Sequence, residues 1–299
     1  MKRFLSLMAA ACVSLSMAAA LADSSLPDGV NPLPIDFSAG MPAQADGYLS
    51  ETEYQDPSIH VVITTGRYEE TDYWQADVTI ADPSQLRTLA ADGFDSNLTL
   101  PGTVMAQQVN AILAMAGDYY CYRPGGYILR QGQLYTNEIR GIRDVLVVDE
   151  DGDFHVAIKA DSTMLGEDMT YEGKKIINAF FFGPILVKDG QTATGGSDLF
   201  LDANTRSQRC AICQVGHLSY RIVCTGFWKR GSRGMTLDEF RSFLATQYDD
   251  IIIGYNMDGG DSTQIIFRGA KVNDVDNPDT RDIADIVYFA SAYSPEAAQ

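Results

Sequence analysis

Positive charge is scarce in this sequence. Only 22 Lys and Arg stand against 40 Asp and Glu over 299 residues, a formal charge of −18. Such a surface repels nucleic-acid phosphates and anionic membranes, so neither is expected as a partner. A phosphate-bearing ligand would need arginines gathered locally against that field. Apolar runs long enough to span a bilayer are absent beyond the first two dozen residues. No repeat with a period of about 20–50 residues is visible. Cysteine is sparse, with five in all. Cys210-Ala-Ile-Cys213 has C-x-x-C spacing, but no second ligand pair at the usual spacing completes a zinc site. Its flanks read as a strand, not as the strand-to-helix junction of a redox motif. The acidic run Asp149-Glu150-Asp151-Gly152-Asp153 lacks the spacing and terminal Glu of a calcium loop and reads as a hairpin turn. No metal site and no cofactor are therefore expected, although so acidic a chain could hold a structural cation.

What the chain does contain begins with a leader. Lys2 and Arg3 precede an apolar run from Phe4 to Ala20, and Ala20-Leu21-Ala22 reads as a cleavage site. Residues 1–22 are expected to be a signal peptide, which makes the protein exported, secreted or held in the cell envelope. Loss of Lys2 and Arg3 takes the formal charge from −18 to −20. Residues 23–47, rich in Pro, Gly, Ala and Asp, are expected to be an exposed linker. Order is expected from Tyr48, with residues 48–299 forming one domain. Apolar residues make up 45% of the chain, enough for a substantial core.

Strand signals dominate that domain. The β-branched runs 59–65 and 73–80 are separated by a polar turn. Residues 127–130 and 133–135 read as a hairpin, as do 144–148 and 154–158. Asp82 followed by Pro83 reads as the start of a helix through Ala90. Apolar spacing predicts another helix over Val104–Met115. A third is expected from Leu237, with Thr236 and Glu239 as a capping box. Residues 251–257 read as a buried strand that turns through Asp258–Thr263 into a partner strand at 264–267. The expected class is α+β (mixed α/β), with extended mixed or antiparallel sheets and helices packed on them.

The most informative segment is Asn256-Met257-Asp258-Gly259-Gly260-Asp261-Ser262-Thr263. In a strand, Asn256 and Asp258 share a side, presenting an amide and a carboxylate together. Gly259 and Gly260 allow a sharp bend and close approach of a ligand to backbone N–H groups. Ser262 and Thr263 add hydroxyls. By itself the segment is also an ordinary hairpin turn. It sits, however, in a longer series. Ala114-Met115-Ala116-Gly117-Asp118-Tyr119-Tyr120 comes first, then Gly126–Tyr135, then Phe182-Gly183-Pro184-Ile185-Leu186-Val187-Lys188-Asp189-Gly190. Gln208-Arg209-Cys210-Ala211-Ile212 and Gly234–Phe240 precede the Asp258 segment; Gly269–Asn273 and Arg281-Asp282-Ile283-Ala284-Asp285 follow it.

This order and content, over roughly residues 50–290, resembles the phosphodiester glycosidase family. The resemblance implies hydrolysis of a glycosyl phosphodiester, the bond from an anomeric carbon to phosphate, and hence a sugar phosphodiester or glycan as partner. Such chemistry asks for a carboxylate to move a proton and for cations or N–H donors to hold the phosphate. It implies Asp258 and Asp118 as catalytic carboxylates, without dividing acid from base, and Arg209 as a bidentate phosphate clamp. Asn256, Gly259, Gly260, Ser262 and Thr263 would complete the substrate-binding set. Several positions depart from the family pattern. Ala116 stands where relatives have Asn. Cys210 and Cys213 flank Ala211-Ile212 where Thr and Gly are usual. Thr225 and Phe227 replace the Asp and Arg of Val-Asp-Gly-Arg, and Asp261 replaces a third Gly. Three readings follow: a phosphodiester glycosidase, a degenerate relative that binds a glycan or wall polymer, and a glycosidase without a phosphate requirement. Arg230 or Arg233 could replace the lost cation. Phe227 and Thr225 lining the cleft of Asp258 would count against catalysis.

Cys210 and Cys213 lie three residues apart in an extended segment, about 10 Å, beyond the roughly 7 Å that a disulfide tolerates. A hairpin turning at His217 would instead set Cys210 opposite Cys224 and leave His217 exposed.

Overall fold

The structure, a computed structural model, describes residues 25–122, 125–139, 142–161, 164–195, 203–227, 231–275 and 280–298. The expected leader 1–22 and Arg230 lie outside them. Three sheets make up the fold. The nine-stranded sheet runs Tyr48–Ser50, Glu53–Asp56, Ile59–Tyr68, Thr71–Ile80, Ser219–Thr225, Cys210–Gly216, Ile253–Met257, Ile185–Lys188, Gln191–Thr192. The second runs Phe154–Ala160, Arg143–Asp149, Lys174–Phe180, Gly126–Arg130, Gln133–Glu138, with Thr170–Tyr171 beside Lys174–Phe180. The third runs Ala270–Lys271, Ile265–Phe267, Ala111–Ala116, Asp285–Ala290, Leu86–Ala90. Pairing among the described residues is antiparallel throughout. Sheet dominates the α+β class expected from sequence, and only two α-helices, Gly102–Gln108 and Leu237–Gln247, occur among these residues.

In the strand Cys210–Gly216, period-2 alternation sends successive side chains to different cores. Cys210 and Ile212 join Val61, Leu146, Met115 and Phe289 in a core shared by all three sheets. Ala211 and Cys213, on the opposite face, meet Phe240, Phe243 and Leu244 of Leu237–Gln247. Each of those helix side chains is fully buried, worth about 1.5–3 kcal/mol apiece. The helix begins where expected: the Thr236 hydroxyl accepts the Glu239 N–H (3.2 Å), and the Glu239 carboxylate accepts the Thr236 N–H (2.8 Å). Thr236→Ala should lower stability by about 1 kcal/mol, read as a shift of the denaturant midpoint at unchanged slope. An unchanged midpoint would show that tertiary packing alone sets this helix start.

Four expectations are corrected. The Asp82–Pro83 signal drives only a single turn, Pro83–Gln85, with its capping box intact; Leu86–Ala90 is a strand. Pairing of Leu86–Ala90 with Asp285–Ala290 outweighs the local helical preference. The Val104–Met115 helix stops at Gln108, Asn110 takes φ +53°, and Ala111–Ala116 becomes a central strand. A short apolar run fits a buried helix or a buried strand equally well. The third correction concerns residues 25–47, which are packed on the domain instead of forming an exposed linker. Val30 and Leu33 are buried, and bridges join Val30 to Tyr293 and Met41 to Ser291. Fully buried Arg87 holds this segment, donating to the carbonyls of Pro34 (2.8 Å), Asp36 (2.8 Å) and Ser38 (3.1 Å). Finally, Ile265–Phe267 pairs with Ala111–Ala116 and not with Ile253–Met257, so residues 258–264 cross between sheets instead of closing a hairpin.

Other local readings hold. In the acidic turn, the Asp149 carboxylate accepts the N–H groups of Asp151 and Asp153, both at 2.9 Å. Cys210 lies opposite Cys224, and His217 is exposed at the turn. No helix among the described residues is long and apolar enough to cross a membrane.

Candidate active site

Ile253–Met257 lies within the nine-stranded sheet, between Cys210–Gly216 and Ile185–Lys188, and all five of its residues are buried. Met257 is opposite Cys210, so the strand ends beside Arg209. The chain then turns tightly against Gln208. A Cβ on Gly259 would lie 2.8 Å from the Gln208 carbonyl oxygen, which also accepts the Gly260 N–H at 3.0 Å. Gly260 itself takes φ +58°. These two glycines are needed to bring Asp258 and Arg209 together from positions far apart in sequence.

They meet in a cleft of about 700 Å³. Arg206, Arg209, Asn256, Asp258, Gly259, Gly260 and Arg281 line it, with Tyr119, Tyr122, Phe182 and Phe227 as aromatic walls. Asp258 is 6% exposed, and its carboxylate lies 3.7 Å from the Arg281 guanidinium. Arg281 is oriented by the Ser262 hydroxyl, which accepts from Nε at 2.7 Å, and by the Tyr119 ring 5.0 Å beneath it. Tyr119 in turn stacks on Tyr122 with centroids 4.5 Å apart. Arg209 donates to the carbonyls of Met235 (3.0 Å) and Thr205 (2.6 Å), which fix its guanidinium at the wall. Arg206 is tied to Glu239 and to the Gly234 carbonyl. The Asn256 amide donates to the Gly183 carbonyl (2.8 Å), and its oxygen finds no partner among the described residues. Among the described lining residues, three arginines stand with the one carboxylate of Asp258, and one of them, Arg206, is already paired with Glu239.

Not every expected residue reaches this surface. Ser262 and Thr263 are buried beneath it; Ser262 serves by holding Arg281. Asp118 is close, since the Asp258 N–H donates to the Gly117 carbonyl (3.3 Å), but its own carboxylate has no exposed surface. That carboxylate bonds the Arg130 guanidinium (2.9 Å) and the Phe181 N–H (3.0 Å). Asp285 completes the buried group, accepting the Asp118 N–H at 3.0 Å and lying 3.8 Å from Arg130. Asp118 therefore supports the cleft from below. Arg233 pairs with Glu70 at 3.5 Å and lines a neighbouring depression, so it does not supply a cation to the cleft.

Burial pushes the Asp285 carboxyl up to about 7; Arg130 opposes this and the charge of Asp118 adds to it. The unfolded chain releases this proton near pH 4, whereas the fold keeps it until about pH 7. This group's contribution thus favours folding below about pH 4 and is lost as pH rises toward 7, by at most about 1.4 kcal/mol per pH unit. Asp285→Asn should flatten the dependence of melting temperature on pH over that window. Parallel profiles for wild type and variant would place the titration elsewhere.

A sequence model of the phosphodiester glycosidase family matches residues 107–290, a span that holds the described cleft residues from Tyr119 to Arg281. The chain belongs to the phosphodiester glycosidase family. Its fold is similar to that of the zebrafish N-acetylglucosamine-1-phosphodiester alpha-N-acetylglucosaminidase catalytic domain auto-inhibited by its pro-peptide. The TM-score is 0.63 at 16% identity, over 87% of this chain and 98% of that one. A hypothetical protein from Synechocystis gives a TM-score of 0.50 at 14% identity, over 77% of this chain and 62% of that one. No curated protein matches the sequence.

Within the phosphodiester glycosidase pattern, the departures fall unevenly. Ala116 is buried in the third sheet, away from the cleft surface. Asp261 is not among the lining residues. Thr225 is fully buried, and its hydroxyl accepts the Arg209 N–H at 2.9 Å, a backbone anchor in place of a carboxylate. Phe227 does line the cleft, where the family pattern has Arg. Arg281, with its side chain 45% exposed, is a cation of the cleft that was assigned no role from sequence although it opens the last matched motif. Arg130 was likewise missed: it sits in a matched motif, but only the fold shows that it neutralises Asp118.

Proposed function

We propose that this protein is an exported hydrolase that cleaves a glycosyl phosphodiester of a surface or environmental glycan. The observation that carries the reading is the Asp258 carboxylate, 3.7 Å from the Arg281 guanidinium, in an aromatic-walled cleft of a chain that is otherwise strongly acidic. Water adds to the anomeric carbon, the bond from that carbon to the phosphate oxygen breaks, and a phosphate monoester departs. Asp258 is the proton-transfer group. Arg281 and Arg209 hold the phosphate and offset the charge that gathers on it. Tyr119, Tyr122, Phe182 and Phe227 offer apolar faces to the sugar, as ligand pockets commonly do around a few placed polar groups.

Phe227 favours a second reading. With Phe in place of Arg in the cleft and Thr225 in place of Asp, one cation and one carboxylate of the family pattern are gone, and a degenerate, glycan-binding protein results. A panel of sugar-1-phosphodiesters and plain glycosides separates these readings, with product release and calorimetric binding measured on each. Hydrolysis of a phosphodiester supports the first reading. Binding without hydrolysis supports the second, and hydrolysis of plain glycosides alone removes the phosphate requirement.

A further inference from the structure

Cys210 and Cys224 face each other across the strands Cys210–Gly216 and Ser219–Thr225. The Thr225 N–H donates to the Arg209 carbonyl at 2.9 Å, so the ladder bond joins the residues flanking the cysteines. In an antiparallel pair that pattern marks Cys210 and Cys224 as a non-hydrogen-bonded pair, the kind with Cα atoms about 4.5 Å apart and side chains closest. A disulfide takes Cα separations of about 4.4–6.8 Å, so this register meets its requirement without moving the backbone. Both side chains are fully buried on the same face of the sheet, and the two Sγ atoms are in contact at 2.9 Å. The remaining cysteines do not compete. Cys213 points to the other face, opposite Arg221, against the helix that carries Phe240. Cys121 is half-buried and packs in a different core, with Tyr120 and Tyr127.

We propose that Cys210 and Cys224 are joined by a disulfide in the mature protein, and that it staples the strand ends that carry Arg209 and Phe227 into the cleft. The oxidant is a protein or small-molecule disulfide met before the sheet closes. The thiolate of one cysteine attacks that disulfide, forming a mixed disulfide and expelling one oxidant thiolate. The second cysteine thiolate then attacks the first cysteine's sulfur, forming the Cys210–Cys224 bond and expelling the other. Two electrons pass to the oxidant, whose two thiolates take up the two protons. Once the sheet is closed, burial pushes the Cys210 thiol well up from its ordinary value, so a folded, reduced pair is slow to react.

The test is thiol mapping on the full chain exported through its own leader. The purified protein is denatured in an alkylating agent without reductant and digested for mass spectrometry. The expected result is alkylation of Cys121 and Cys213 only, with a cross-linked peptide pair joining Cys210 and Cys224. Reductant should then expose four alkylatable cysteines and lower the melting temperature by roughly 5–10 °C, the effect of opening a loop of about 15 residues. A Cys210→Ala/Cys224→Ala protein should melt at one temperature with or without reductant. Four alkylated cysteines in the exported protein, or a link to Cys213 or Cys121, would overturn the assignment. A melting temperature of the wild type that ignores reductant would overturn the stapling role.

Discussion

Asp258→Asn is expected to lower turnover of a glycosyl phosphodiester by about 10²-fold or more while leaving the fold in place. The substitution removes the carboxyl proposed to transfer the proton, at nearly constant volume. Its backbone anchor, the Asp258 N–H on the Gly117 carbonyl, does not depend on the side chain. The ion pair with Arg281 is long, at 3.7 Å, and its arginine side chain is 45% exposed, so weakening that pair should cost less than about 1 kcal/mol. Steady-state hydrolysis and a thermal melt on the same preparation check both halves. Turnover equal to wild type would move proton transfer away from Asp258. A collapsed melting temperature would mean that lost activity reports unfolding. Arg281 should be the partner whose loss acts on substrate binding, since Ser262 and Tyr119 aim it at the same cleft.

The largest expected effect on stability comes from Arg130→Met. Arg130 is fully buried, with Asp118 and Asp285 on one side and the Phe180 and Phe94 rings at 4.3 and 5.2 Å. It also donates to the carbonyls of Leu129 and Ala179. Removing it takes the Arg130 charge away from two neighbouring carboxylates in a site with no exposed surface. Breaking a buried pair from one side costs about 3–5 kcal/mol, because the abandoned charge keeps its desolvation penalty. The cost should be smaller at pH 5 than at pH 8. Burial raises the Asp285 carboxyl to about 7 even with Arg130 present, so at pH 5 one carboxylate is already neutral. Denaturant unfolding at both pH values checks the size and its direction. A loss under 1 kcal/mol at pH 8 would show that water reaches the two carboxylates once Arg130 is gone. Because Gly117 and Asp118 lie under Asp258, activity should fall with stability in this variant.

Some of this protein could be read directly. The Thr236–Glu239 capping box, the Asp149–Asp153 turn, the His217 hairpin and the Cys210–Cys224 register all depend on residues near one another in sequence, where turn and cap chemistry acts. The motif series from Asp118 to Asp285 was also legible, and with it the family; Asp258 and Arg209 of that series line one cleft. Where two levels of signal conflicted, the local one misled. Asp82 and Pro83 start a helical turn, but the ladder between Leu86–Ala90 and Asp285–Ala290 claims the residues that follow. Residues 25–47 read as a linker because their Pro and Gly content disfavours regular structure. Nothing local reveals that Arg87, a buried cation, needs their carbonyl groups.

Sequence alone thus determined which chemistry-bearing residues the chain owns, that its strands outnumber its helices, and that a phosphate ligand would require gathered arginines. Tertiary structure decided which of those residues face the cleft. Asp118 and Asp258 look alike as motif carboxylates, yet one is sealed against Arg130 and the other opens beside Arg281. Ser262 and Thr263 follow the same turn as Gly260 but sink beneath the surface as the chain crosses to the third sheet. The physical reason is that motif spacing fixes identity and order along the chain, whereas exposure depends on which distant elements pack over each side chain. Here those elements come from three sheets joined by contacts of high sequence separation.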